Sequence, residues 1–154
     1  MKIRELELND KPNWIRLVKL ADNRDYLWAK QKFDSYVLSK KKKRLVIVEE
    51  NDNLIGFAGI KGEDIEENVK SELIKEYLLI TWIAFIPEFR NKGLGSKLLT
   101  VCEKYAKKWK KKGIWLGCRD EVIPFYEKNK YKKIGMFINN GEKEENLIVK
   151  VFTN

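Results

Sequence analysis

At 154 residues, 44% of them hydrophobic and 12% aromatic, the chain has the length of one ordinary domain and enough apolar side chain for a packed core. No apolar run approaches the ~18 residues of a membrane span, and the opening Met1-Lys2-Ile3-Arg4-Glu5 lacks a signal-peptide apolar stretch, so a soluble cytoplasmic protein is expected. Histidine is absent, which excludes Ser-His-Asp and Cys-His nucleophile systems, histidine bases and most zinc sites.

Any acid–base chemistry must therefore use Glu, Asp, Tyr, Lys, a terminal amine or water. The two cysteines, Cys102 and Cys118, provide neither a disulfide framework nor a metal-ligand spacing, and no metal is expected.

In chain order, residues 2–8 alternate and read as a first strand, while residues 14–20 and 26–39 carry apolar residues at helical spacing. Residues 45–49 and 54–60 read as two strands joined by Glu50-Asn51-Asp52-Asn53, a hairpin-type turn sequence. Residues 77–85, Tyr-Leu-Leu-Ile-Thr-Trp-Ile-Ala-Phe, are a β-branched and aromatic run that reads as a buried strand. Leu94, Leu98, Cys102, Tyr105 and Trp109 then fall on one face of a helix running to about residue 112, with Gly113 as its stop. Residues 114–118 form a short strand and 121–128 a short helix. Residues 131–138 and 146–152 close the chain as a hairpin around Asn139-Asn140-Gly141. No repeat or low-complexity linker interrupts this, so residues 1–154 are expected to form a single domain.

Between the strand at 77–85 and the long helix stands Arg90-Asn91-Lys92-Gly93-Leu94-Gly95-Ser96. A strand, a glycine-containing turn and a helix N-terminus leave several backbone N–H groups unpaired and pointing one way, with the helix dipole behind them. Such a site binds phosphate oxygens. The spacing is neither a P-loop nor a dinucleotide fingerprint, which needs Gly-x-Gly-x-x-Gly and a later acidic residue.

Following a Phe-Ile-Pro-Glu turn, Arg90-x-x-Gly93-x-Gly95 resembles the acetyl-CoA loop of the GNAT N-acetyltransferase superfamily, whose amides hold the coenzyme pyrophosphate. The resemblance covers roughly residues 45–138. It implies an α/β (α+β) fold: a mixed, mostly antiparallel central sheet of about seven strands flanked by about four helices. It also implies acetyl-CoA as cosubstrate, held by Arg90, Asn91, Lys92, Gly93, Leu94, Gly95 and Ser96. Ile83, Ala84 and Phe85 match the strand that polarises the thioester oxygen in relatives.

A second stretch, Val122-Ile123-Pro124-Phe125-Tyr126-Glu127-Lys128-Asn129-Lys130-Tyr131, is similar to the superfamily's Ala-Ile-x-Phe-Tyr-Glu-Lys-x-Gly-Phe. By that resemblance Tyr126 is the catalytic tyrosine that protonates the departing thiolate. The competing reading is a tyrosine packed against the sheet. A thiol with pKa about 8.5 and a phenol near 10 can share a proton without a large shift. Positioning and backbone N–H groups would then supply most of the acceleration.

The chain departs from the family pattern at three places. Leu79 stands where some relatives carry a glutamate base, Arg119 where many carry an asparagine, and Lys130 in place of the usual glycine. Glu76 and Glu88 remain as candidate bases, each competing with a plain solvated charge.

Charge adds less. The net +9, with Lys40–Arg44 and six lysines from Lys104 to Lys112, could attract nucleic acid, but a lysine-rich solvated helix face is the better reading. Glu63, Asp64, Glu66, Glu67, Glu72 and Glu76 outnumber Lys70 and Lys75 in one acidic run, either a rim for a cationic amine or an exposed helix.

The expected function is transfer of an acetyl group from acetyl-CoA to a primary amine, of a small molecule or a protein N-terminus, by direct attack in a ternary complex. The alternative is a non-catalytic GNAT-like module that binds acyl-CoA or a protein. No membrane partner is expected, nucleic acid is disfavoured, and a homodimer is left open.

Overall fold

The computed structural model describes residues 1–63, 75–139 and 143–153. Its strands are β1 (Lys2–Glu5), β2 (Lys43–Glu50), β3 (Asn53–Lys61), β4 (Tyr77–Phe85), β5 (Gly113–Cys118), β6 (Lys132–Asn139) and β7 (Lys143–Val151). Four helices of the described residues accompany them: α1 (Lys11–Asp22), α2 (Tyr26–Val37), α3 (Leu94–Lys108) and α4 (Ile123–Lys128). The strands form one sheet in the order β1-β2-β3-β4-β5-β7-β6. β1 and β2, β5 and β7, and β6 and β7 pair antiparallel, whereas β4 and β5 run parallel, so the sheet is mixed as expected. Among the described residues no helix is long and apolar enough to cross a membrane.

Local sequence explains most boundaries. Asn51 and Asp52 both take positive φ (50° and 65°), the backbone of a two-residue hairpin turn, so β2 passes directly into β3. α1 stops at Asn23, whose φ of 51° lets Arg24 N–H reach back to the Val18 carbonyl at 3.1 Å. The Asp25 carboxylate accepts the Trp28 N–H at 2.8 Å and caps α2.

α3 departs from expectation at its end. It closes at Lys108 rather than near residue 112, and the left-handed residue is Lys110 (φ 61°), with Lys111 N–H on the Ala106 carbonyl at 2.8 Å. Gly113 is not the stop. It is the first residue of β5, where any Cβ would collide with the Lys150 carbonyl oxygen of β7. That glycine permits close strand approach instead of a helix turn.

The chain divides into two compact units, Met1–Ile60 with Trp82–Val101, and Lys61–Thr81 with Cys102–Asn154. In the first, Trp14, Leu17, Val18, Phe33, Ile47 and Phe57 are buried together. Trp14 donates its indole N–H to the Ala29 carbonyl at 2.9 Å and meets the Phe57 ring edge-on at 5.1 Å. Each such side chain contributes about 1.5–3 kcal/mol on burial. In the second unit, Leu79, Trp115 and Val149 cluster on one face of the sheet with Tyr77, Phe137 and Leu147.

Candidate active site

The phosphate-type loop lies wholly in the first unit. β4 ends at Phe85, whose ring lies over Gly56 of β3, where a Cβ would strike it. Ile86 N–H continues the pairing to the Ile55 carbonyl at 2.9 Å, and a 3-10 turn at Pro87–Phe89 turns the chain. Asn91 (φ 60°) and Gly93 (φ 79°) are both left-handed, which curls the main chain into the kind of concavity that collects N–H groups. The first main-chain bond of α3 runs from Lys97 N–H to the Gly93 carbonyl, at 3.4 Å. The amides of Leu94, Gly95 and Ser96 therefore form the open first turn, at the positive end of a 15-residue helix.

Arg90 acts differently from its neighbours. Its Nε donates to the Phe85 carbonyl at 3.0 Å and one terminal nitrogen to the Ala21 carbonyl at 3.1 Å, while its own N–H goes to Pro87. The guanidinium is thus a brace that ties the loop to the end of β4 and the last turn of α1.

Ile83 and Ala84 of β4 are half-buried and Phe85 is buried. All three lie past the parallel register with β5, which runs from Tyr77↔Gly113 to Leu79↔Trp115.

Tyr126 belongs to the second unit. Pro124 pre-shapes the first turn of α4, and Tyr126 sits inside at 4% exposure, with ring contacts to Phe125 (5.0 Å) and Tyr131 (5.7 Å). Its carbonyl accepts the N–H groups of Asn129 (3.0 Å) and Tyr131 (2.9 Å). Burial first, and then the neighbouring Cys118 and Cys102, push its phenol above the ordinary tyrosine range, so it holds its proton firmly. Cys102 itself is pushed up to about 12, mainly by burial, which makes it an inert core thiol.

Behind Tyr126 stands a polar cluster that sequence reading missed. Tyr131 donates to Glu103 Oε2 at 3.0 Å, and Lys150 Nζ donates to both Glu103 oxygens (3.1 and 3.2 Å) and to the Asn129 carbonyl (3.2 Å). Burial and the Glu103 charge raise the Tyr131 phenol. Lys130 keeps a glycine-like φ of 73° where the family has glycine.

A second missed residue is Asn146 of β7, buried at 2% exposure. Its Nδ2 donates to the Cys118 carbonyl (3.0 Å) and to Asp120 Oδ1 (2.8 Å), and its own Oδ1 is buried without a partner. Arg119, where the family asparagine was expected, is exposed and reaches Glu121 at 3.6 Å. A carboxamide thus stands beside the end of β5 after all, brought from 27 positions further on by the β5–β7 register Cys118↔Asn146.

The family-model match settles the class of this arrangement. The model described as the acetyltransferase (GNAT) family matches residues 3–131. The chain belongs to the GNAT acetyltransferase family. It is accordingly an acyltransferase, and its sheet and helices are the GNAT fold. An aminoglycoside 6'-N-acetyltransferase solved with coenzyme A matches 100% of this GNAT chain and 98% of its own, at TM-score 0.78 and 17% identity. An aminoglycoside 6'-N-acetyltransferase from Enterococcus faecium matches with the same coverage at 0.77 and 18%. The ribosomal-protein-S18-alanine N-acetyltransferase from Escherichia coli matches 96% of this chain and 90% of its own, at 0.68 and 19%. These likenesses are ones of fold. No curated protein matches the sequence.

Within the GNAT frame the candidate bases fare differently. Leu79 is buried and apolar. Glu76 is exposed and paired with Lys112 at 3.0 Å. Glu88 is exposed on a cleft of about 250 Å³ that Arg16, Glu50, Ile55, Ile86 and Phe89 also line. Of the acidic run, Asp64, Glu66, Glu67 and Glu72 lie outside the described residues, as do Asn140 and Gly141 of the closing hairpin.

Proposed function

We propose that residues 1–154 work as one N-acetyltransferase domain, moving the acetyl group of acetyl-CoA directly onto a primary amine of a small molecule or a protein N-terminus. The observation that carries this reading is the loop at residues 90–96, where two left-handed residues and an open helix start direct main-chain N–H groups to one place. A pyrophosphate suits that place by charge and by hydrogen bonding. Asn91, Lys92, Gly93, Leu94, Gly95 and Ser96 would hold it, with Arg90 bracing the loop from behind. The side-chain oxygen of Asn146, buried and unpartnered, suits an amide N–H of the cosubstrate.

The reaction then needs little covalent help. The amine nitrogen attacks the thioester carbon, and the main chain at Ile83, Ala84 and Phe85 polarises the carbonyl oxygen. The C–S bond breaks, and its electron pair leaves on sulfur. The role assigned to Tyr126 is that of a donor to the departing sulfur. Because burial raises its phenol, it stabilises the thiolate through a hydrogen bond more than by giving up its proton, at the low end of the ~10²–10⁴ range for general acids. The solved neighbours act on aminoglycosides and on a ribosomal-protein alanine by their names, so both acceptor classes belong in the test.

The test couples acetyl-CoA to kanamycin, spermidine and an alanine-initiated peptide with a free-thiol readout, beside calorimetry of coenzyme A binding. Binding together with thiol release that depends on the amine supports the reading. Coenzyme A binding without release from any amine would leave an acyl-CoA binding module.

A further inference from the structure

On the sheet face of the second unit that carries Leu79 and Trp115, one carboxylate has no part in the steps above. Resting on the N-acetyltransferase reading above, we propose that Glu145 is the general base, taking the proton from the acceptor nitrogen directly or through one water.

Leu79, which the family resemblance aligns with the glutamate base of some relatives, packs with Trp115, Val149, Phe137 and Leu147, which fixes the face in question. Glu145 of β7 is two residues from Leu147 and, by strand alternation, on that same face. Its carboxylate does not stay over its own strand. A Cβ on Gly117 of β5 would collide with Glu145 Oε2 and with the Phe137 ring, so the carboxylate lies across Gly117. β5 is the strand paired in parallel with β4. The missing side chain at 117 is what lets an acid from β7 lie over β5, on the face that Leu79 and Trp115 share.

The same face holds a buried polar atom without a partner: Trp115, wholly buried, has an unpaired indole N–H. An unpaired buried donor is costly in a folded protein and needs an explanation. A polar substrate group or a relay water beside Glu145 supplies one. The proton balance is complete: one proton passes from the attacking nitrogen to Glu145 and then to solvent, the sulfur leaves with the C–S pair, and solvent returns a proton to give the thiol.

The experiment compares wild type with Glu145→Gln, Glu145→Asp and Gly117→Ala, using the best acceptor among kanamycin, spermidine and the alanine-initiated peptide. Glu145→Gln should lower kcat by about 10²–10⁴ at neutral pH, with acetyl-CoA affinity and Tm as in wild type. The deficit should narrow above the acceptor's own pKa, where the amine arrives already neutral; a merely structural role would show no such pH dependence. Glu145→Asp should retain part of the rate, and Gly117→Ala, which pushes the carboxylate aside, should lose it. Turnover of Glu145→Gln within about twofold of wild type, or a deficit independent of pH, overturns the assignment. If Tyr126→Phe is slow while Glu145→Gln is normal, the base assignment alone has failed. If wild type acetylates none of the three amines, the N-acetyltransferase reading has failed and takes the base with it.

Discussion

Replacing Lys150 by methionine tests what holds the helix that carries Tyr126. The ammonium meets both oxygens of Glu103 at 3.1 and 3.2 Å and the Asn129 carbonyl at 3.2 Å, with the two side chains only 24% and 14% exposed. Removing one member of a fully buried pair costs about 3–5 kcal/mol, because the other charge is stranded. Partial exposure places this pair lower, at about 2–3 kcal/mol. For a chain of this size each kcal/mol moves Tm by roughly 2–4 °C, so Lys150→Met should melt about 5–10 °C early.

The penalty comes from the stranded carboxylate rather than from lost attraction. Removing the carboxylate as well, in Glu103→Met with Lys150→Met, should therefore recover much of it. Adding Tyr131→Phe, which retires the hydroxyl that Glu103 accepts, should recover most of the rest. Thermal unfolding followed by circular dichroism, with urea titration as a second measure, decides the matter. A shift of the single variant under ~2 °C, or a triple variant no more stable than the single, would show that the cluster does not bear on the fold.

Gly95→Glu should weaken coenzyme A binding by at least about tenfold, or 1.4 kcal/mol, in calorimetry, since both bulk and charge oppose a phosphate; unchanged affinity would refute the loop assignment. Tyr126→Phe should keep the fold and acetyl-CoA affinity while lowering kcat about 10²-fold; equal turnover would make it a packing residue. Gly113→Ala should cost about 3 kcal/mol by forcing β5 and β7 apart, read as a lower urea midpoint. Asp10 has its carboxyl held below the ordinary range, first by the Arg4 hydrogen bond. That stability is present above the unfolded carboxyl's pKa and lost as pH falls through the folded one, so Asp10→Asn should flatten the acid limb of the stability curve.

The strand, turn and helix from Tyr77 to Lys108 were legible because each part carries a local signal: a β-branched run, glycines at a turn and apolar residues at helical spacing. The helix end was misread for a local reason too. Glycine is the usual left-handed residue, yet Lys110 takes that conformation here, and Gly113 serves a contact with β7 that only tertiary structure reveals. Glu103 with Lys150, Asn146 with Cys118, and Glu145 with Gly117 were illegible because strand register, not spacing along the chain, makes these pairs. Tyr131 held one readable sign, a hydroxyl where the family pattern has phenylalanine.

The energetics of the amine proton connect the acceptor to the base. A lysine-like ammonium, pKa about 10.4, must give up its proton at a cost of roughly 4.6 kcal/mol at pH 7, whereas an α-ammonium near 7.7–8 costs about 1–1.4. A glutamate on β4 itself could sit against the nitrogen and bear the larger cost; Leu79 cannot. A carboxylate that reaches in from β7 across Gly117 is better matched to a proton already loosely held, since a relayed transfer gains little if the ammonium first has to be broken at high cost. We therefore expect kcat/KM to favour the alanine-initiated peptide over spermidine at neutral pH. The preference should shrink as pH rises towards 10, when both amines are increasingly neutral before they bind. A preference for spermidine that persists at pH 7 would mean that a stronger proton acceptor than Glu145 acts at the site.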